Sequence, residues 1–177
     1  NSGVSFLEIR PAGGTGGLFY NPFELAPSDH NTVVYAQSDI WKTTDVLTTT
    51  SHSGWTRLSG PVGGNVASIG ISHQNPAKMY FGTDNGQILV TTDDGATWST
   101  TAGYPYVSDL VVDPANDSVC YATFGGFNAA AHIYKTTTSG ATWFSVTGNL
   151  PNIPTNTIVL RTAAPRMLFV GTDLGVF

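Results

Sequence analysis

Thr91–Thr100 reads "TTDDGATWST", and Thr136–Ser145 reads "TTTSGATWFS". The two stretches share the frame Thr-Thr-x-x-Gly-Ala-Thr-Trp, and their tryptophans, Trp98 and Trp143, lie 45 residues apart. Alone, Asp93 and Asp94 could belong to a metal loop or to an acid pair. The second copy keeps the frame and replaces the acids with Thr138 and Ser139. Threonine can still bond a turn's backbone, but it cannot replace a carboxylate in acid–base chemistry. The frame therefore reads as a repeated turn. A looser third copy keeps "TTD" at Thr43–Asp45 and "GW" at Gly54–Trp55 around an insertion, and Trp55 precedes Trp98 by 43 residues.

The repeat extends beyond the turn. Ala26–Asp45, Ser72–Trp98, Asp113–Trp143 and Ala163–Phe177 each hold a polar turn, an apolar run around an aromatic, a Gly/Asp/Ser turn and a second apolar run. Tyr35 to Tyr80 is 45 residues, and Tyr80 to Tyr121 is 41. A period of about 40–50 residues made of short strands predicts β-propeller blades. One period resolves into "VASIGIS", "KMYFGT", "GQILVTT" and "TWSTTAG", with the hairpin signal Asp-Asn-Gly between the second and third. The expected fold is all-β: a propeller of four-stranded antiparallel blades over residues 18–60, 66–103 and 107–148, with an incomplete three-stranded blade over 156–177. "FNAAAHIY" is the one helix-like stretch and is read as a long hairpin loop. A spare strand, Val4–Ile9, could complete the last blade within the chain or in another copy. A closed four-bladed ring, a half-ring and a strand-exchanged oligomer or filament all use the same strands. The ends at Asn1 and Phe177 read as those of a piece of a longer exported protein.

The frame resembles the Asp-box, or bacterial neuraminidase repeat, found in sialidases, sortilin-type receptors, xyloglucanases and photosystem assembly propellers. On that resemblance Thr91, Asp93, Gly95, Thr97 and Trp98 form a structural box, repeated by Thr136, Gly140, Thr142 and Trp143. It implies a box between third and fourth strands, at the blade periphery and away from a central pocket. "GNLPNIPTNTIVL" followed by "MLFVGTDLGVF" resembles the joint between blades of secreted Asp-box proteins, which implies an extracellular or cell-surface location.

Composition narrows the function. Charged residues are 11% of the chain, against about 25% in an average soluble protein, so Thr, Ser, Asn and Gly must carry the surface. Net charge is −5, and the three lysines and four arginines are scattered, which argues against a nucleic-acid partner. No apolar run approaches a membrane span of about 20 residues. Cys120 has no partner cysteine and sits in an apolar strand-like run, as a buried inert thiol does.

Each candidate chemistry makes its own demand on the chain. Sialidase chemistry needs three converging arginines, a Tyr–Glu nucleophile pair and an Asp acid; only Arg10, Arg57, Arg161, Arg166, Glu8 and Glu24 are available. A glycoside hydrolase needs two carboxylates about 5–10 Å apart. Asp39, Asp84 and Asp173 each follow a second strand, where turn chemistry explains them, and Asp109 lies on an innermost strand facing the channel. Asp109 and Asp84 are the catalytic candidates, with a hydrolase fragment as the alternative function. His30, His52, His73 and His132 lack ligand spacing, "DDG" lacks the rest of a calcium loop, and "GGTGG" lacks a P-loop's Lys-Ser/Thr, so no metal or cofactor is expected. Asn116 opens a glycosylation sequon. The leading expectation is a non-catalytic, exported propeller module that binds carbohydrate or protein or assembles with itself. Tyr104, Tyr106 and Phe124 are its candidate sugar contacts, with a place in the core as the equal alternative.

Overall fold

The computed structural model describes residues 8–14, 16–49, 52–127 and 131–177. The strand expected at Val4–Ile9 and residues 128–130 of the helix-like stretch fall largely outside them. The described residues form fifteen strands and no helix. Four antiparallel sheets follow one another along the chain: β1 (Phe23–Leu25) to β4 (Thr56–Ser59), β5 (Val66–Ile71) to β8 (Ser99–Thr101), β9 (Val107–Val112) to β12 (Phe144–Ser145), and β13 (Thr155–Arg161) to β15 (Gly175–Val176). Within each sheet, spatial order equals chain order.

The first strands β1, β5, β9 and β13 pack beside one another in succession, so they form the inner line of the molecule. Ser68 Oγ donates to the Val107 carbonyl at 3.3 Å, and Ser108 Oγ donates to the Thr155 carbonyl at 2.6 Å. Small hydroxyl side chains thus stitch inner strands where larger ones would hold them apart. Bulges at Val66/Ser68 and at Thr155/Thr157 bend two of these strands near their starts.

Strand alternation gives each sheet two apolar faces. In β6 (Met79–Thr83), Met79 and Phe81 point back to the first sheet, and Tyr80 points forward to the third. In β10 (Cys120–Phe124), Cys120, Ala122 and Phe124 point back, and Tyr121 points forward. The core is therefore three separate layers, one per pair of sheets. Continuous burial along β6 and β10 follows from coverage on both faces.

Up-and-down connectivity sorts the loops. Connections between sheets and the turns between second and third strands share one end, the upper face. Turns between first and second and between third and fourth strands share the lower face. Across the lower face an ion pair joins each pair of neighbouring sheets: Lys42–Asp94 at 2.6 Å, Lys78–Asp117 at 2.9 Å, and Arg166 with Asp113.

The repeated frame makes lower-face turns. Asp93 Oδ1 accepts from Thr91 Oγ1 at 2.9 Å and Thr97 N at 2.8 Å, while Oδ2 accepts from Thr97 Oγ1 at 2.5 Å. Thr91 Oγ1 accepts in turn from Gly95 N at 2.8 Å. The chain turns through Asp94 (φ 60°) and Gly95 (φ 85°), and Trp98 Nε1 closes onto the Gly95 carbonyl at 3.0 Å. In the second copy Thr138 Oγ1 meets Thr142 N at 3.0 Å and Thr142 Oγ1 at 2.9 Å, and Thr136 Oγ1 accepts from Gly140 N at 3.0 Å. One hydroxyl does locally what the Asp93 carboxylate does.

These bonds favour the ionised form of Asp93 and hold its carboxyl below the usual range, Thr97 contributing most. A depressed folded pKa gives stability that is present above the unfolded value and lost as pH falls through the folded one. Asp93→Thr is expected to keep the fold at neutral pH and to lose part of the acid-dependent fall in melting temperature. Thermal melts at pH 7 and pH 3 check this, and an unchanged pH dependence would remove Asp93 from the account.

Candidate functional site

The upper face gathers the candidate acids, and most are already engaged. Asp84 Oδ1 accepts from Asn65 N at 2.9 Å, and its Oδ2 accepts from Asn65 Nδ2 at 2.8 Å. Asp173 accepts from Asn156 Nδ2 at 2.8 Å in the fourth sheet. In both sheets, then, the aspartate after the second strand clasps an asparagine at the foot of the first. Asp39 is fully buried and pairs with Arg57 at 2.8 Å.

Asp109 lies on β9 at the inner line. Its Oδ2 accepts from Thr157 Oγ1 at 2.7 Å and Ile158 N at 2.9 Å, both on β13. It ties the third and fourth sheets together at the inner line. Glu24 stands in the middle of β1, another first strand, exposed and in register with Val34. The neighbouring strands strip enough water from Glu24 to lift its carboxyl above the usual range, and the Asp109 charge adds to the rise. The sequence reading missed this pair. The residues are 85 positions apart and share no motif, so only the arrangement of first strands brings them together.

The three candidate aromatics divide between core and surface, and Phe124 falls to the core alternative. Phe124 is fully buried, because strand alternation places it beside Cys120 and Ala122 on the inner face of β10. Tyr104 packs against it, and their rings and that of Tyr134 lie 5.1–5.3 Å apart. Tyr106 is 40% exposed. Among the described residues the most open aromatics are Phe19 and Tyr20, 91% and 82% exposed, in the loop that leads into β1 on the upper face. Their rings meet edge to face at 4.7 Å. Asn21 Oδ1 holds the loop by accepting from Leu18 N at 3.0 Å, and Asn65 Oδ1 does so from Gly17 N at 2.8 Å. The signal for them was available in "GGLFYNPF": adjacent aromatics bracketed by turn residues, outside any strand pattern.

Asn116 is exposed in a lower-face turn, where its Oδ1 accepts from Ser118 N at 3.1 Å. Cys120 is buried, and burial raises its thiol pKa well above the ordinary value, so it stays protonated. Among the described residues no three His, Cys, Asp or Glu side chains gather as metal ligands, and no helix is long and apolar enough to cross a membrane.

Four successive antiparallel sheets, stacked face to face around a line of first strands, match solved structures along most of the chain. An ancestral GH74 enzyme superposes with a TM-score of 0.61 at 16% identity, over 90% of this chain and 23% of the enzyme. The GH74 xyloglucanase of Xanthomonas campestris gives a TM-score of 0.64 at 12% identity, over 85% and 26%. The fold is a β-propeller fold, and the four sheets are its blades. In sequence, the chain is similar to a xyloglucanase of a Paenibacillus species, 32% identical over 130 residues. That alignment takes in 55% of this chain and 13% of the relative, so the chain spans about an eighth of that protein. No protein-family model matches.

Proposed function

We propose that this chain is a polysaccharide-binding propeller module of the xyloglucanase type, exported from the cell and built of Asp-box blades. The observation that carries the reading is the 32% identity to a xyloglucanase over 130 residues. The geometry supports binding by the upper face. Phe19 and Tyr20 offer flat apolar surface on a loop fixed by two asparagines, which suits the C–H faces of a β-linked glucan. Asp84, Asp173 and Asp39 are engaged in structural bonds and are assigned no chemistry.

Affinity electrophoresis through a gel containing xyloglucan tests the reading. The chain is expected to be retarded, and Phe19→Ala/Tyr20→Ala is expected to weaken binding by about tenfold. Migration unaffected by the polysaccharide, or retardation untouched by the double substitution, would sink it. A second reading, hydrolysis, is favoured by one observation: partial loss of water, with a smaller addition from the Asp109 charge, raises the carboxyl of Glu24, the direction a general acid requires. Release of reducing ends that disappears in Glu24→Gln separates hydrolysis from binding alone.

A further inference from the structure

Asn65 stands at the foot of β5, and its side chain serves two blades at once. Toward its own blade, Asp84 in the hairpin after β6 clasps it three ways. Asp84 Oδ1 accepts from Asn65 N at 2.9 Å, Oδ2 accepts from Asn65 Nδ2 at 2.8 Å, and Asp84 N donates to the Asn65 carbonyl at 2.9 Å. Toward the first blade, Asn65 Oδ1 accepts from Gly17 N at 2.8 Å, across 48 positions of sequence. Gly17 opens the loop that carries Phe19 and Tyr20. Asn21 shapes that loop from within by accepting from Leu18 N, and Asn65 ties it to another blade.

The oxygen and NH2 ends of an amide have nearly the same shape, so packing alone does not choose between them. Charge decides it. A carboxylate offers only acceptors, so Asp84 takes the NH2 end and turns the oxygen toward Gly17. With the amide reversed, oxygen would face carboxylate and NH2 would face N–H, two repulsive contacts. The loop's approach is close: a Cβ on Gly16, at φ 69°, would stand 3.1 Å from Asn65 Oδ1. The fourth blade carries a like clasp within its own sheet, where Asn156 Nδ2 donates to Asp173 Oδ1 at 2.8 Å.

We propose that Asp84 and Asn65 are positioning residues of the glycan site: the carboxylate orients the amide, and the amide holds the Phe19–Tyr20 loop in place for a sugar chain. An acid of the second blade thereby sets the affinity of aromatics on the first. The inference rests on the binding reading for its ligand. Its physical basis is order, because a loop already held loses less freedom when it binds. Asp84 acts through Asn65 in this role, as an acceptor, and moves no proton.

Exchanging the two side chains tests it. Asp84→Asn forces like polarity together in the clasp, and is expected to speed exchange of the Gly17 amide proton, read by NMR, about tenfold. It should weaken retardation by xyloglucan about three- to tenfold. In the double variant Asn65→Asp/Asp84→Asn every bond regains a partner. The carboxylate at position 65 accepts from Gly17 N and from the amide at position 84, whose oxygen accepts from the backbone N–H at position 65. Both readouts are expected to return to within about twofold of wild type. Asp173→Asn loosens the fourth blade's clasp and is expected to move neither. Gly17 exchange unmoved by Asp84→Asn, or not recovered in the double variant, would overturn the proposal. So would a wild type that is retarded and an Asp84→Asn variant retarded equally. Should Asp84→Asn alone fail to fold, the double variant decides: folded with Gly17 protected it supports the proposal, and unfolded it overturns it. A wild type that xyloglucan does not retard would sink the binding reading, while Gly17 exchange that follows the series would still uphold the hold on the loop.

Discussion

Gly86→Ala is expected to cost about 3–5 kcal/mol, the largest loss from any Gly→Ala change among the described residues. Gly86 turns the hairpin between β6 and β7 (Ile88–Thr91) at φ 79°, and Tyr104 N donates to its carbonyl at 3.2 Å. A Cβ there would lie 1.6 Å from the Tyr104 carbonyl oxygen and 2.5 Å from its carbon. Both obstacles are backbone, so no rotamer change relieves them, and the loop entering the third blade must move. Gly103 supplies the comparison. It has φ 96° and open space where a Cβ would go. Gly103→Ala should therefore show only the conformational penalty, about 1–2 kcal/mol. Urea midpoints for the two variants separate steric clash from backbone preference. Equal losses would mean that the Gly86 approach relaxes freely.

The second large effect is asymmetric. Lys78 is 6% exposed, and its ammonium meets Asp117 Oδ1 at 2.9 Å and Ser118 Oγ at 3.3 Å across the interface of blades two and three. Asp117→Ala strands the ammonium in a site with little water, which is expected to cost about 2–4 kcal/mol. Lys78→Met removes the charge that needs a partner and leaves Asp117 nearer solvent, for a cost of about 1 kcal/mol or less. Calorimetric melts of both variants check the order. The reverse order would mean that Asp117, not Lys78, is the desolvated member.

Much of this architecture was legible in the sequence. Strand positions followed from alternation and from turn residues such as Asn85-Gly86, because both signals are local. The three-stranded last sheet was legible for the same reason. The face each residue chooses was harder to read. In "CYATF" every side chain is apolar or small, so nothing in the run says whether Phe124 looks at a neighbouring blade or at solvent. Packing on both sides of the sheet erases the polar alternation that would have told them apart. The site was legible only in part. Asp109 was placed correctly on an inner strand, but its bonds to Thr157 and Ile158 and its effect on Glu24 depend on where separate strands come to lie. The asparagine partners of Asp84 and Asp173 were hidden likewise, each lying 17–19 residues from its aspartate.

The three core layers meet no common centre, and this decides how the molecule comes apart. Stability is then a sum of nearest-neighbour couplings, as in a row of stacked repeats, with no single nucleus whose loss melts everything. The middle blades are held from both sides and the outer two from one side. Amide exchange should therefore run as a gradient, slowest in β6 and β10 and fastest at β1 and β15, with heat peeling the chain from its ends inward. Damage to one layer would stay local: a cavity between the first two blades should leave the exchange of β13 and β14 (Met167–Thr172) unmoved.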